Sequence, residues 1–230
     1  MPFVKHFREY TLFKLFDDFK GKVVLDLPGS IGHYSLKFLE KGASHVICSG
    51  LIPEELQVAE EVFIKAGIEA NRYTIVEHDA KIPLQLTEKL ADIAVVLHLF
   101  CFADNYEELV YMAKCIFLNM KENGEMISFH CPPMARDKLE FYEKANNAKI
   151  IRYNHPIEEL NLPGFLHTEE CCFTLTRNIW PIHIVEKALK DGGFKDVRKE
   201  EYLKDPSYVG EIPLDYHTEY ADFYFLVARK

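Results

Sequence analysis

Val23-Val24-Leu25-Asp26-Leu27-Pro28-Gly29-Ser30-Ile31-Gly32 is the stretch from which the fold is read. The apolar run after Gly21 and before Pro28 suits a central strand, because a parallel strand covered by helices on both faces is continuously hydrophobic rather than alternating. The small residues that follow predict a tight turn. From residue 33 to 41, Tyr34, Leu36, Phe38 and Leu39 predict a helix stopped by Gly42. A strand, a tight turn and a helix start in succession leave bare backbone for a ligand to approach.

Outward from that unit the rhythm repeats. Upstream, residues 1–20 carry Phe3, Phe7, Tyr10, Leu12, Phe13, Leu15, Phe16 and Phe19 near helical spacing, an amphipathic N-terminal segment. Downstream, strands are predicted over 45–48, 73–77, 92–97 and 125–129, with helices over 54–66, after Pro53, and 106–120. Glu122-Asn123-Gly124 reads as the turn into the strand at 125. Strands alternating with helices imply βαβ units and right-handed crossovers. The rhythm breaks at residues 134–180, where mixed charge and Phe173-Thr174-Leu175-Thr176 predict an antiparallel insertion or cap. A helix over 181–190, a stop at Gly192-Gly193 and a closing strand over 222–228 complete one domain spanning 1–230.

Composition narrows the function classes. The chain has 230 residues, 48% hydrophobic, with 27 Lys and Arg against 36 Asp and Glu for a net charge of −9. An acidic balance argues against a nucleic-acid footprint or attraction to an anionic membrane, which favours a small-molecule partner. The longest apolar stretch, 91–103, is too short for a transmembrane span, so no membrane partner is expected. Cys48, Cys101, Cys115, Cys131, Cys171 and Cys172 lack paired metal-ligand spacing and follow no secretory signal, the pattern of reduced thiols in a cytoplasmic protein with no metal site. Oligomeric state is not legible.

Several motifs in order resemble the class I S-adenosylmethionine-dependent methyltransferases. Residues Val24 to Gly32 look like the family's first motif, a strand ending in an acid before a glycine-rich turn; Pro53-Glu54-Glu55-Leu56 with Ala59 looks like the segment beneath the cofactor ribose. Glu77-His78-Asp79-Ala80 sits where an adenine-contacting acid is expected. Residues Ala91 to Val96 resemble the fourth strand, and Met120-Lys121-Glu122-Asn123-Gly124-Glu125 the turn before the fifth. Gly192-Gly193-Phe194 with Val197 resembles the lead into strand six, while Glu9-Tyr10-Thr11 and Gly21-Lys22 are similar to a small-molecule methyltransferase subgroup.

The resemblance implies a Rossmann-like, doubly wound, mostly parallel seven-stranded sheet with a small inserted cap. It implies S-adenosylmethionine as cofactor, S-adenosylhomocysteine as product, and methyl transfer to an oxygen or nitrogen of a small organic acceptor. The cofactor-binding positions it implies are Tyr10, Asp26, Pro28, Gly29, Ser30, Gly32, Gly50, Leu51, Asp79, Ala80 and Leu97. Asp26 would meet the ammonium, Asp79 the adenine amino group with Ala80 N–H on the ring, and Tyr10 would close over the methionine end. Two departures stand out. Pro28 and Ser30 replace glycines of the turn, and Gly50 occupies the place of the acid that grips the ribose hydroxyls, a role left to Ser49, Glu54 or Glu55. A charge-assisted hydrogen bond contributes ~1.5–3 kcal/mol, so the alternative is a methyltransferase-like binding or scaffold protein with little or no cofactor affinity.

Where the acceptor must lose a proton, His98 after the fourth strand and His130 after the fifth are the candidate bases; each is otherwise a pocket-lining or structural histidine. Trp180, Tyr153 and Phe165 are candidates for an acceptor cage, although aromatics at such positions are more often core. No phosphate-loop Lys follows the turn, which disfavours nucleoside triphosphate hydrolysis, and a nicotinamide dinucleotide site also requires an acid near Gly50.

Overall fold

The structure, a computed structural model, describes residues 2–130, 148–152, 163–168, 174–178, 180–201, 203, 205–208 and 224–230. Helix α1 covers Pro2–Leu15, followed by β1 (Val23–Asp26), α2 (His33–Glu40), β2 (His45–Gly50), α3 (Pro53–Lys65), β3 (Tyr73–Glu77) and β4 (Ala91–Leu97). Then come α4 (Tyr106–Leu118), β5 (Met120–His130), β6 (Ala148–Arg152), β7 (Pro163–Thr168), β8 (Thr174–Asn178), α5 (Ile182–Asp191), β9 (Lys195–Glu201) and β10 (Tyr224–Arg229). Residues 222 and 223, where the closing strand was expected to begin, lie outside the described residues.

A seven-stranded sheet runs in the order β3-β2-β1-β4-β5-β10-β9. The strands β3 to β5 are parallel, and β10 is antiparallel to both β5 and β9. This is the doubly wound α/β sheet expected, with the strand order reversing between β1 and β4. Successive side chains of a strand point to opposite faces, and both faces are covered. Val24, Val46, Ile93 and Val95 pack with Phe7, Leu12, Phe38, Leu56 and Phe63 of α1, α2 and α3. Leu25, Ile47, Ala94 and Val96 pack with Leu109, Met112 and Ile116 of α4 and Val185 and Leu189 of α5.

The turn expected at Glu122-Asn123-Gly124 is absorbed into β5. Pairing passes from Ala91↔Met120 to Ile93↔Glu125 with a register shift, Asn123 takes φ 63°, and a Cβ at Gly124 would lie 2.9 Å from Lys121 O. Beside the bulge Lys121 Nζ pairs with Asp92 at 2.8 Å. Between β3 and β4 the chain forms no regular helix. Buried Asn119 supplies the missing partners: its Nδ2 donates to Leu84 O (2.7 Å) and its Oδ1 accepts from Leu86 N (2.6 Å).

Strands β6, β7 and β8 form a separate three-stranded antiparallel sheet within the span where an insertion was expected. Asn178 Nδ2 donates to Ala103 O (2.8 Å), so the last of these strands is tied to the connection that follows β4. Tyr153, Cys131, Cys171 and Cys172 lie outside the described residues, and Phe165 is described as a backbone position on β7 opposite Ile151 and Thr176. Trp180 is buried in the core beside α4 and α5, with no hydrogen-bond partner for its Nε1 among the described residues.

Candidate active site

The carboxyl ends of β1, β2, β3, β4 and β5 share one edge of the sheet, and the polar groups gather there. Leu27 N donates to Val95 O (3.1 Å) and Gly29 N to Ser49 O (2.7 Å), so the turn after β1 is sewn to strands on either side. Gly29 is required by contact: a Cβ there would collide with Cys48 Sγ and lie 3.3 Å from Asp26 O. Gly32 caps α2 with φ 77°, and its Cβ would come within 2.9 Å of Ala59 and Phe63, which lets α3 close against the turn. Pro28 follows a cis peptide bond, and the lost N–H of that residue falls where Gly29 and Leu27 already supply the cross-strand bonds.

Asp26, the last residue of β1, is buried, and its Oδ2 accepts from Ser35 Oγ at 2.7 Å. Burial pushes its carboxyl up to about 7, against the lowering effect of the Ser35 bonds. A buried carboxyl held at this poise is stabilised as an anion by a cation beside it.

Gly50 ends β2 and accepts from His78 N through its carbonyl at 2.8 Å, which brings the end of β3 alongside. A Cβ on Gly50 would meet Leu56 at an ordinary 3.4 Å and Ser30 N at 3.9 Å. Ser30, in the left-handed region at φ 45°, donates its Oγ to Glu55 Oε2 at 2.7 Å. Glu55 therefore delivers from α3 a carboxylate to the neighbourhood where Gly50 lacks one. Glu54 is exposed, and the Ser49 hydroxyl is buried without a hydrogen-bond partner among the described residues. Leu51 and Ile52 beyond β2 and Ile82 beyond β3 are exposed at 61%, 48% and 59%, an apolar rim with nothing of this chain over it among the described residues.

Past β3, Asp79 Oδ1 accepts from Lys81 N (2.9 Å) and Ala80 is buried in the core. Lys81 Nζ, 3.0 Å from Asp104 and also paired with Glu108, ties the loop to the start of α4. Leu97 is buried at the end of β4, against the α1, α2 and α3 side.

His98 and His130, the two candidate bases, have unlike surroundings. His130 is buried between Phe100 (ring centroids 5.7 Å, interplanar 15°) and Tyr224 (5.2 Å, 10°), with Nε2 2.7 Å from Ser128 Oγ. Burial pulls its imidazole down to about 3. So weak a base, stacked and hydrogen-bonded, serves packing better than proton transfer. His98 is half-buried at φ 64°, and its Nε2 is hydrogen-bonded to Arg8 Nη1. A guanidinium can only donate, so His98 Nε2 accepts and the ring is neutral with its proton on Nδ1. Ser30 and His98, two non-glycine residues with positive φ, thus flank the same edge, as backbone strain at functional sites does.

Arg8 is the residue that sequence reasoning passed over. From α1 its guanidinium lies 5.6 Å from the Tyr34 ring centroid and 5.3 Å from that of Phe129, and Nε donates to Tyr34 Oη at 3.2 Å. Arg8 shares the buried stripe of α1 with Leu12, and a cation on an apolar stripe was the signal available. Tyr10, the α1 position expected over the site, has its ring 5.6 Å from Lys14 Nζ on its own helix.

No family model matches the chain. An uncharacterised protein of Haemophilus influenzae is 29% identical over 154 residues, which cover 65% of this chain and 59% of that relative's length. Among solved structures, a Listeria monocytogenes chain assigned as an S-adenosylmethionine dependent methyltransferase superposes with TM-score 0.70, at 15% identity over 100% of this chain and 99% of that one. An S-adenosylmethionine dependent methyltransferase from Mesorhizobium loti gives 0.65 at 17% identity, covering 96% of both chains. The chain has the class I methyltransferase fold. Magnesium protoporphyrin IX methyltransferase from Synechocystis, solved with bound S-adenosylhomocysteine, shares that fold at TM-score 0.60 and 14% identity, over 98% of this chain and 82% of that one. Among the described residues of this methyltransferase fold, no helix is long and apolar enough to cross a membrane, and no group of three or more His, Cys, Asp or Glu is disposed to hold a metal ion.

Proposed function

We propose that the protein transfers the methyl group of S-adenosylmethionine to an oxygen or nitrogen of a small organic acceptor, releasing S-adenosylhomocysteine. The observation that carries this reading is the Asp26 carboxyl, buried beneath the Gly29–Gly32 turn where the strand order reverses, the crevice in which open α/β sheets bind ligands. The residues fit the cofactor. Asp26 is poised for an ammonium group, and the Ser30–Glu55 pair supplies a carboxylate for ribose hydroxyls in place of the missing acid at Gly50. The second oxygen of Asp79 and the backbone N–H of Ala80 serve the adenine edge, between the apolar side chains of Leu51 and Ile82.

The cofactor, when bound, supplies an electrophilic methyl on a sulfonium, whose bonding pair returns to sulfur as the acceptor's lone pair attacks in line. The chain's contribution is chiefly to hold the two reactants in register and exclude water. His98 Nε2 is the base for an acceptor that must lose a proton, once the acceptor's own N–H or O–H replaces Arg8 as its donor.

Calorimetric titration with S-adenosylhomocysteine tests the reading. Binding in the micromolar range with a rise in melting temperature is expected, weakened at least about 10-fold by Asp79→Ala, the loss expected for one hydrogen bond to a charged group. No heat and no thermal shift at millimolar ligand leaves the scaffold alternative standing and removes the enzyme.

A further inference from the structure

Among the described residues, Arg8 is a half-buried cation without a carboxylate partner. Its Nε and Nη1 engage Tyr34 Oη and His98 Nε2, both neutral acceptors, while its faces rest on the Tyr34 and Phe129 rings. The acids whose charge reaches Tyr34 are committed elsewhere: Glu9 pairs with Lys37, and Asp26 with Ser35. Two of the five N–H donors of a guanidinium are thus used, and the rest of the fork has no protein acceptor among the described residues. In a chain of net charge −9, an arginine set on rings and left unpaired is not short of acids to choose from. Its planar fork matches a carboxylate in two parallel hydrogen bonds, and flanking rings fix its plane before the anion arrives.

Its place in the fold says which anion. Arg8 spans from Tyr34, in the first turn of α2, to His98 and Phe129 at the carboxyl ends of β4 and β5, away from Gly50, Glu55 and Asp79 at β2 and β3. We infer that Arg8 is a specificity-determining residue which binds the carboxylate of the methyl acceptor, so that the substrate class is small, carboxylate-bearing molecules. A carboxylate that takes the guanidinium fork competes with His98 for Nη1, which couples arrival of the right acceptor to release of the histidine that receives its proton. This inference rests on the methyl-transfer reading.

The test uses the full chain, with benzoate against its neutral isostere benzamide as probes, because the walls beside Arg8 are aromatic. With saturating S-adenosylhomocysteine present, benzoate is expected to bind at least about 10-fold more tightly than benzamide. Arg8→Met abolishes the preference and Arg8→Lys retains part of it, while each variant binds S-adenosylhomocysteine within about 3-fold of the parent. Equal binding of the two probes by the parent overturns the inference, and that comparison needs no variant to fold. So does an Arg8→Met chain that loses about 10-fold or more for S-adenosylhomocysteine but nothing for 5′-methylthioadenosine, since the guanidinium then serves the cofactor's own carboxylate. If S-adenosylhomocysteine fails to bind the parent, methyl transfer falls; the benzoate and benzamide titrations repeated without it still decide whether Arg8 is a carboxylate site.

Discussion

Asp26 and His130 end two strands of one sheet, both buried, and burial drives their charges in opposite directions. The Asp26 carboxyl rises to about 7 and the His130 imidazole falls to about 3, so each is held towards its neutral form. Their neighbours differ more than their burial does. Asp26 has one hydroxyl partner and lies under a turn of glycine and serine; His130 is closed between two rings with its nitrogen on Ser128. One is an acid at the point where the strand order reverses, where the proposed cofactor would bring its ammonium. The other is stacked on both faces by Phe100 and Tyr224. A shifted pKa marks a site only where the geometry leaves a place for the partner that would shift it back.

The largest expected effect separates the two by their pH signatures. Between about pH 4 and 7, Asp26 holds a proton in the folded chain that the unfolded chain has released, so its contribution to stability is complete below pH 3.8 and is lost as pH rises through 7. For His130 the folded chain lacks a proton that the unfolded chain binds below 6.5; its contribution is complete above 6.5 and is lost as pH falls towards 3. The slopes cancel where they overlap. Asp26→Asn, which keeps an acceptor for Ser35, is expected to gain stability over the parent by about 1.4 kcal/mol per pH unit across that window, for a total on the order of 4 kcal/mol. His130→Gln gains in the opposite direction on acidification. Urea melts at pH 4.5, 6 and 7.5 measure both, and stability differences that do not vary with pH break the comparison.

Next in size is Gly29→Ala. Its Cβ collides with Cys48 Sγ, a buried thiol pushed up to about 12, and overpacking of this kind costs about 1–3 kcal/mol. Cys48→Ala in the same chain should restore more than half of the loss. If it does not, the turn fails through Asp26 O, 3.3 Å from the new carbon, and the backbone rather than the core face sets its shape.

The β1 end was legible before the structure because its requirements are local. A turn that passes within contact distance of the next strand needs Gly29, and a helix closing on that turn needs Gly32; both are written as residues in place. The parallel βαβ units followed from the alternation of elements and the doubly wound seven-stranded sheet from the family resemblance, with β3 at 73–77 read to the residue. The opposite end was read poorly because its chemistry is assembled over distance. Arg8 and His98 stand 90 positions apart, and the rings around His130 come from residues 100 and 224. No spacing rule reports such a meeting. Tyr10 drew attention as an aromatic near the family's motif, whereas the side chain that crosses to the strand ends sits two residues earlier. The β5 bulge was taken for a turn because Asn123-Gly124 is a turn signal whether or not the ladder resumes around it.

A smaller effect tests the substitute for the missing acid. Glu55→Gln keeps the acceptor for Ser30 but removes the charge, so S-adenosylhomocysteine should bind about 10-fold more weakly, while 5′-methylthioadenosine, which shares the ribose, weakens equally. Unchanged affinity for both would mean that the ribose is held by some other group and that α3 merely packs. Gly50→Asp in the parent is the complementary gain: its Cβ meets Leu56 at 3.4 Å, ordinary contact, and affinity should rise.

The smallest expected effect lies at the joint between the two ends. Tyr34 lies in the first turn of α2, directly after the glycine turn, and carries Arg8 on both its ring and its hydroxyl, at 5.6 Å and 3.2 Å. Burial raises its phenol, so the group is neutral and its role is that of acceptor for Arg8 Nε. Tyr34→Phe leaves the ring under the guanidinium and removes only the acceptor, for a loss of about 1 kcal/mol in stability. Because the fork is then held by stacking and His98 alone, Arg8 should turn more freely, and the benzoate preference should shrink by a few fold without vanishing. Full retention of the preference would show that His98 and Phe129 orient the guanidinium without help from α2, which confines carboxylate recognition to the β4 and β5 side of the molecule.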